Sequence, residues 1–120
     1  LEGNMAAAAA AQEMLLQSYN DTIAIFPAVP ADWQEVSFEK LRAEGGLLID
    51  AVRENGKTVK VRFTATVAGT YWVVNPIERF VYEVKSGPPN TRPVTRGRYI
   101  TLKVEPGTVV EMMPRPVPGR

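Results

Sequence analysis

The clearest pattern along the chain is the strict alternation of apolar and polar side chains over residues 57–67. The apolar members are Val59, Val61, Phe63, Ala65 and Val67. An alternation with a period of two is typical of a strand that buries one face. Asn55-Gly56 separates this segment from the apolar run Leu47–Glu54, and such a dipeptide is a strong signal for a β-hairpin. The pattern therefore predicts two adjacent antiparallel strands.

Further short apolar segments follow at the spacing of a β-sandwich, with turn-forming residues between them. They are Thr22–Phe26, Val36–Ala43, Tyr71–Val74, Arg79–Lys85, Tyr99–Val104 and Thr108–Met112. Together with the hairpin they predict a mainly β fold, an antiparallel β-sandwich of about 7–8 strands. We expect its core to include Val59, Val61, Phe63, Ile100 and Leu102.

The residues before these strands have the pattern of a helix. Met5–Tyr19 contains the run Ala6–Ala11, and alanine is the strongest helix former, while Asn4 is placed to cap the start. Because the first half is apolar all round, we expect this helix to have packed among other helices, or alternatively to dock one side on the sheet. Any apolar surface of the helix that stays exposed would allow weak self-association through Met5–Tyr19. The predicted organisation is a helical segment over 1–20, a sandwich over 21–113 and an extended proline-rich tail over 114–120.

The amino-acid composition limits the kinds of catalytic and metal sites that the chain can form. The 120 residues suffice for one domain, and 45% hydrophobic with 22% charged residues is typical of a folded protein. The chain has no cysteine and no histidine, which excludes disulfides, metal sites built on these residues and histidine-dependent nucleophiles. No apolar run approaches the roughly 20 residues of a membrane-spanning helix. We therefore expect no metal, no cofactor and no membrane contact.

The net charge of +1 hides an uneven distribution of charge. Residues 1–78 carry 6 basic and 10 acidic groups, whereas residues 79–120 carry 8 basic and 3 acidic groups. The densest basic stretch contains Arg92, Arg96 and Arg98, which suit either a nucleic-acid patch or a solvated loop before Tyr99. A nucleic-acid binder is usually basic overall, so we expect a loop and no nucleic-acid partner.

Acidic and aromatic residues are the remaining candidates for a site. Glu39 and Glu44 are expected to be surface charges. Asp50 is expected to pair with a neighbouring Arg or Lys, with a buried, hydrogen-bonded acid as the alternative. Trp33 and Trp72 could stack on sugars, although Trp33 is better placed to plug the end of the sandwich or its junction with the helix. Since Trp72 follows Tyr71 in a strand, one of the two should point inward and the other outward.

Three motifs, in order, resemble glycoside hydrolase family 95. They are Glu13-Met14-Leu15-Leu16-Gln17-Ser18, the stretch Ile25–Trp33 with the sequence IFPAVPADW, and Leu41-Arg42-Ala43-Glu44-Gly45-Gly46. The resemblance covers about residues 1–75. That family comprises α-L-fucosidases and some α-L-galactosidases, in which a β-domain precedes an (α/α)6 barrel and a small β-sandwich closes the chain.

The resemblance implies that residues 1–20 are the last helix of such a barrel and that the remainder is the C-terminal sandwich. The chain would then be a non-catalytic part of an α-L-fucosidase-like hydrolase, with the catalytic barrel as its partner and carbohydrate as the substrate of the parent protein. It also implies a secreted protein, periplasmic or extracellular.

The same resemblance supplies the only catalytic candidates. The family typically has Asp-Gly-Asn just before this helix, and Glu2-Gly3-Asn4 stands in its place. Glu2 and Asn4 would therefore belong to the catalytic machinery of a full-length parent, where the family's aspartate helps an asparagine elsewhere in the barrel to activate water. In the chain alone, the simpler role of Asn4 is to cap the helix. The carboxylate of Glu2 alone cannot provide both the acid and the base that hydrolysis needs. We expect no hydrolysis by the chain alone.

An autonomous β-sandwich module that binds carbohydrate or a protein stays open as the alternative. An exposed aromatic pair around Trp72 or Tyr99 on a sheet face would favour it. An exposed apolar surface along Ala6–Leu16 would instead favour attachment to a barrel.

Overall fold

The computed structural model describes residues 14–20 and 22–116, which form two β-sheets of five strands each. The strands are β1 (Leu16–Tyr19), β2 (Thr22–Ile25), β3 (Val36–Ala43), β4 (Leu47–Glu54), β5 (Lys57–Ala65), β6 (Gly69–Val74), β7 (Phe80–Ser86), β8 (Val94–Arg96), β9 (Tyr99–Val104) and β10 (Val109–Pro114). Buried side chains from both sheets form one core. The predicted mainly β sandwich is therefore confirmed.

The two sheets have different strand orders. The first sheet runs β1-β2-β6-β9-β8 and the second runs β3-β4-β5-β10-β7. All neighbours are antiparallel except β2 and β6, which pair in parallel. A parallel pair needs a crossover, and the β3-β4-β5 meander of the second sheet provides it. The prediction of a wholly antiparallel sandwich is therefore wrong at this one pair.

The predicted hairpin is present, with one irregularity. Asn55 and Gly56 have φ angles of 51° and 74°, the left-handed conformation that a tight two-residue hairpin turn requires. In the register, Val52 pairs with Lys60 and Arg53 pairs with Thr58, so Val59 is the extra residue of a β-bulge. Val59 is consequently only half-buried, although the alternation places it in the core.

The predicted core is otherwise confirmed. Val61, Phe63, Ile100 and Leu102 are buried between the sheets. Val67 is exposed, because β5 ends at Ala65 before the alternation in the sequence does.

The N-terminal helix is not present in the part of the chain that the structure describes, apart from helical geometry at Met14 and Leu15. Leu16–Tyr19 forms strand β1, which pairs with β2, so the helix predicted over Met5–Tyr19 is wrong at its C-terminal end. The reason is tertiary: pairing buries Leu16 against Ile25, and such burial outweighs intrinsic helix propensity. The rest of the predicted helix and of its self-association surface lies outside the described residues.

The strand count also differs from the predicted seven or eight. Two of the ten strands were not expected: β1, predicted as helix, and β8, which lies in the stretch predicted as a loop around Arg96. None of the described residues forms a helix long and apolar enough to cross a membrane. The division of the chain at residues 20 and 113 stays a prediction.

Candidate functional site

The catalytic candidates inferred from the resemblance, Glu2 and Asn4, lie outside the described residues, so their roles stay predictions. Glu39 and Glu44 are exposed, as expected of surface charges. Among the described residues, no group of three or more acidic side chains is placed to hold a metal ion. The described carboxylates that have close partners lie mainly on the outward face of the second sheet.

The strongest ion pair of that face joins β5 to β10. Arg62 donates from Nε to Glu111 Oε2 at 2.6 Å, and a second guanidinium nitrogen contacts the same oxygen. Lys85 Nζ lies 4.0 Å from the other carboxylate oxygen of Glu111. Glu111 is only 4% exposed, which makes this carboxylate unusual for an outward-facing strand position.

The charge state of this pair follows from its surroundings. Burial raises the pKa of Glu111, but the hydrogen bond from Arg62 and the charges of Lys60, Arg62 and Lys85 together outweigh burial and hold that pKa below its usual value. Conversely, the hydrogen bond to Glu111 raises the pKa of Arg62. A carboxylate kept ionised in this way stabilises the sheet and is a poor general acid.

Asp50 lies beside this pair and has a structural role of its own. It stands opposite Arg62 in the β4–β5 register, and its Oδ1 accepts a hydrogen bond of 3.3 Å from the backbone amide of Lys40. Lys40 has a φ angle of 53° at the bulge of β3. Asp50 is therefore a half-buried, hydrogen-bonded acid, and the ion pair with a neighbouring Arg or Lys that the sequence favoured is not among the ion pairs of the described residues. Its hydrogen bond holds a strained turn of backbone. A cavity of about 230 Å³ adjoins it. Its lining comprises Ser37, Phe38, Glu39, Asp50, Val52, Lys60 and Arg62.

The outward face of the first sheet has a different chemistry. Tyr71 is buried while its neighbour Trp72 is 43% exposed, which confirms that one of the two points inward and the other outward. The Trp72 ring meets the Tyr99 ring edge to face at a centroid distance of 6.1 Å. The Arg98 guanidinium lies 5.6 Å from the centroid of Tyr99. Tyr19, on β1 of the same sheet, is 74% exposed.

A third surface lies at the end of the sandwich where Met14 and Leu15 lead into β1, which we call the proximal end. The loop from β2 to β3 returns to this point, because the amide of Phe26 donates to the Leu15 carbonyl at 2.7 Å and that of Ala28 donates to the Met14 carbonyl at 3.4 Å. Phe26 has a φ angle of 53°, uncommon for an aromatic residue, and its ring packs against Phe38 at 5.4 Å.

Trp33 belongs to this loop. It lies at the end of the sandwich, as expected, but it does not plug the end, since 44% of the residue is exposed. Its carbonyl accepts a hydrogen bond from Arg53 Nε at 3.2 Å, and the Gln34 carbonyl accepts one from the Gly56 amide at 3.1 Å. The loop is thus tied to the β4–β5 hairpin, which leaves the indole outside the core.

The sequence alone indicated Trp72 and Tyr99 as a candidate surface pair, but it did not indicate Tyr19. Tyr19 was missed because its segment was predicted to be a helix. If the segment is treated as a strand, Leu16 and Ser18 alternate with Gln17 and Tyr19, which places Tyr19 on the outward face.

Comparison with known protein families gives one match. The family model described as "Glycoside hydrolase family 95, C-terminal domain" matches residues 17–111, which includes nearly all of both sheets. A search of curated proteins gave no match.

Proposed function

The chain belongs to the glycoside hydrolase family 95 C-terminal domain family, and from this we propose that it is a non-catalytic domain that supports the catalytic barrel of an α-L-fucosidase-like hydrolase. The observation that carries the proposal is the extent of the match, which covers both sheets of the sandwich. In this proposal the domain contributes through packing against the barrel and not through an acid–base pair of its own.

The geometry of the proximal end supports a barrel docked there. A domain that precedes Met14 in the same chain reaches the sandwich at the start of β1, beside the loop that holds Phe26 and Trp33. A partly exposed tryptophan on a firmly anchored loop is the kind of residue that dominates the energy of a protein interface. We therefore assign the barrel contact to Trp33 and its loop.

Hydrogen bonds anchor both ends of the loop. The Asn55 amide donates to the Glu35 carboxylate at 2.8 Å, next to the hydrogen bonds that the Trp33 and Gln34 carbonyls accept. These contacts join the loop to the β4–β5 hairpin, while the Phe26 amide joins it to Leu15. A loop that is already anchored at both ends loses less conformational entropy when it docks, which favours a stable interface.

The finer features of the proposal rest on the resemblance to α-L-fucosidases. The substrate would be a fucosylated or galactosylated carbohydrate that is bound and cleaved in the barrel, in a periplasmic or extracellular protein. Glu2 and Asn4 would contribute to the catalytic machinery only in that full-length context.

The test uses the full-length hydrolase and two matched substitutions. Trp33→Ala and Trp72→Ala remove indoles of nearly equal exposure, 44% and 43%, from different surfaces. We expect Trp33→Ala to lower the melting temperature of the barrel and the rate of 4-nitrophenyl α-L-fucoside hydrolysis, and Trp72→Ala to leave both near the unsubstituted values. Equal effects of the two substitutions, or none from Trp33→Ala, would show that the barrel does not dock on this loop.

A further inference from the structure

The outward face of the first sheet carries an aromatic row that lies away from the Trp33 loop. We propose that this face is a carbohydrate-binding surface, on which sugar rings stack against Tyr19 and Trp72. We call it the aromatic face and define it by Tyr19, Thr22, Trp72, Tyr99 and Thr101. The proposal adds a second function to the domain and rests on the proposed docking of the barrel at the proximal end, which leaves this face open.

The strand register places these residues in one cross-strand row. Tyr19 pairs with Thr22 across β1 and β2, Thr22 pairs with Trp72 across β2 and β6, and Trp72 pairs with Thr101 across β6 and β9. Residues opposite each other in a sheet point to the same face. Tyr19 and Trp72 are thus two strands apart, roughly 10 Å at the usual strand spacing. That separation lets one oligosaccharide contact both rings.

The rings are accessible, and one of them is held in place. Tyr19 is 74% exposed and Trp72 is 43% exposed. Trp72 is fixed on one side by its edge-to-face contact with Tyr99, and Tyr99 is itself covered by the Arg98 guanidinium. A ring that is already fixed in the free protein loses less entropy when a ligand stacks on it.

The chemistry of the row suits sugar better than it suits a protein surface. A pyranose presents C–H groups on one face, which pack on the electron-rich face of an aromatic ring, and hydroxyl groups around its edge, which need hydrogen-bond partners. The row alternates aromatic rings with Thr22 and Thr101. The Thr101 hydroxyl donates to the Val94 carbonyl at 3.5 Å, so it can serve a sugar hydroxyl as an acceptor.

The two sheet faces differ in a way that singles out this one. The second sheet presents ion-paired side chains, including Arg62, Lys85 and Glu111. The outward positions that the structure describes on the first sheet carry no acidic side chain. They are Gln17, Tyr19, Thr22, Ala24, Thr70, Trp72, Val74, Val94, Arg96, Tyr99, Thr101 and Lys103. Among these described positions the charged side chains are Arg96 and Lys103, on the β8–β9 side of the face, so the aromatic row itself is uncharged.

The aromatic face is also distinct from the proximal end. Trp33 lies on the loop that is tied to the hairpin of the second sheet through Arg53, whereas Trp72 lies within β6 of the first sheet. A barrel that docks on the Trp33 loop can therefore leave the aromatic face open to a glycan.

The test is a titration of the 120-residue chain, monitored by tryptophan fluorescence. The titrated protein carries Trp33→Phe, so that Trp72 is its only indole. The probes are 2′-fucosyllactose, fucosylated xyloglucan oligosaccharides and oligogalacturonides at up to millimolar concentration. We expect at least one probe to quench and shift the emission. Tyr19→Ala should weaken that binding about tenfold or more. Trp72→Ala should abolish the binding, which is measured by NMR of the labelled chain for this variant. Trp33→Ala should leave the Kd unchanged.

Several outcomes would overturn the proposal. One is the absence of binding to every probe, and another is binding that survives Trp72→Ala but is lost in Trp33→Ala. A third is protection of Tyr19 and Trp72 from carbene footprinting in the full-length hydrolase without any glycan, because that result would assign the aromatic face to a protein interface.

Discussion

At the scale of single residues, Phe63 and Thr64 show how the alternation on β5 determines burial. Phe63 is 1% exposed in the core, whereas Thr64 faces outward and is half-buried. We expect Phe63→Ala to reduce the free energy of unfolding by about 3–5 kcal/mol, through lost burial and the cavity left behind. Thr64→Ala should change it by no more than about 0.5 kcal/mol. Urea denaturation followed by circular dichroism measures both, and equal midpoint shifts would mean that the register is wrong.

The carboxylate of Glu111 predicts a pH dependence of stability. Because its native pKa lies below its value in the unfolded chain, the unfolded state binds more protons at acidic pH. The contribution of Glu111 is therefore complete above the ordinary glutamate pKa of about 4.3 and is lost as the pH falls through the lowered native pKa. At pH 7, Glu111→Gln should cost about 1.5–3 kcal/mol, since a charged hydrogen-bond acceptor is replaced at a buried site.

The control for this prediction is Glu83→Gln on the neighbouring strand. Glu83 pairs opposite Glu111 in the β7–β10 register, but its side chain is 61% exposed and its ion pair with Lys85 is 3.3 Å long. Such a surface pair contributes about 0–1 kcal/mol. Unfolding curves between pH 3 and pH 7 should show the acid-dependent loss diminished in Glu111→Gln and retained in Glu83→Gln. The same pH profile for all three proteins would contradict the assignment.

At the scale of elements, β1 shows the limit of local sequence signals. Helix propensity over Met5–Tyr19 is strong, but Leu16 and Ser18 face inward, as a strand requires, and the Ser18 Oγ accepts a hydrogen bond from the Glu44 amide at 2.9 Å. That partner is 26 residues away, beyond the reach of any local pattern. The pairing of β1 with β2 could therefore not be predicted from propensity.

A matched pair of substitutions tests the strand. Leu16 is 7% exposed and its neighbour Gln17 is exposed. We expect Leu16→Ala to destabilise the protein by about 2–5 kcal/mol, and Gln17→Ala to have an effect within about 0.5 kcal/mol. Measuring the thermal unfolding of both variants tests this prediction. If Leu16→Ala left the melting temperature unchanged, β1 would not be packed on the core as described.

Other elements were predictable to different degrees. The β4–β5 hairpin follows from Asn55-Gly56 and the clean alternation, because both signals are local. The parallel contact of β2 with β6 depends on the path of the chain through the second sheet, and β8 is only three residues long, too short for a periodic signal. The bulge at Val59 is likewise set by pairing rather than by residue type.

The candidate surfaces also differ in how far the sequence could predict them. The outward position of Trp72 follows from strand alternation beside Tyr71, which is a local signal. The exposure of Trp33 depends on hydrogen bonds from the distant hairpin, through Arg53 and Gly56, and the sequence favoured a buried plug instead. The aromatic face as a row required the cross-strand register, which no single segment specifies.

At the scale of the whole molecule, three surfaces have separate chemistry: an ion-paired face on the second sheet, an aromatic face on the first, and the loop of the proximal end. In the part of the chain that the structure describes, the most buried carboxylate, Glu111, is held ionised by its cationic neighbours. We therefore expect the 120-residue chain to hydrolyse neither aryl α-L-fucosides nor aryl α-L-galactosides above the buffer rate. Turnover that persists through repurification and disappears in Glu2→Gln would contradict this.

The most direct test of the central claim is to remove the sandwich from the full-length hydrolase and to measure the thermal unfolding of the remaining barrel by calorimetry. If the domain supports the barrel without taking part in the chemistry, a version that ends before Met14 should unfold at a clearly lower temperature. It should keep measurable 4-nitrophenyl α-L-fucoside hydrolysis at temperatures where it is still folded. A barrel that unfolds at the same temperature with and without residues 14–120 would contradict the account.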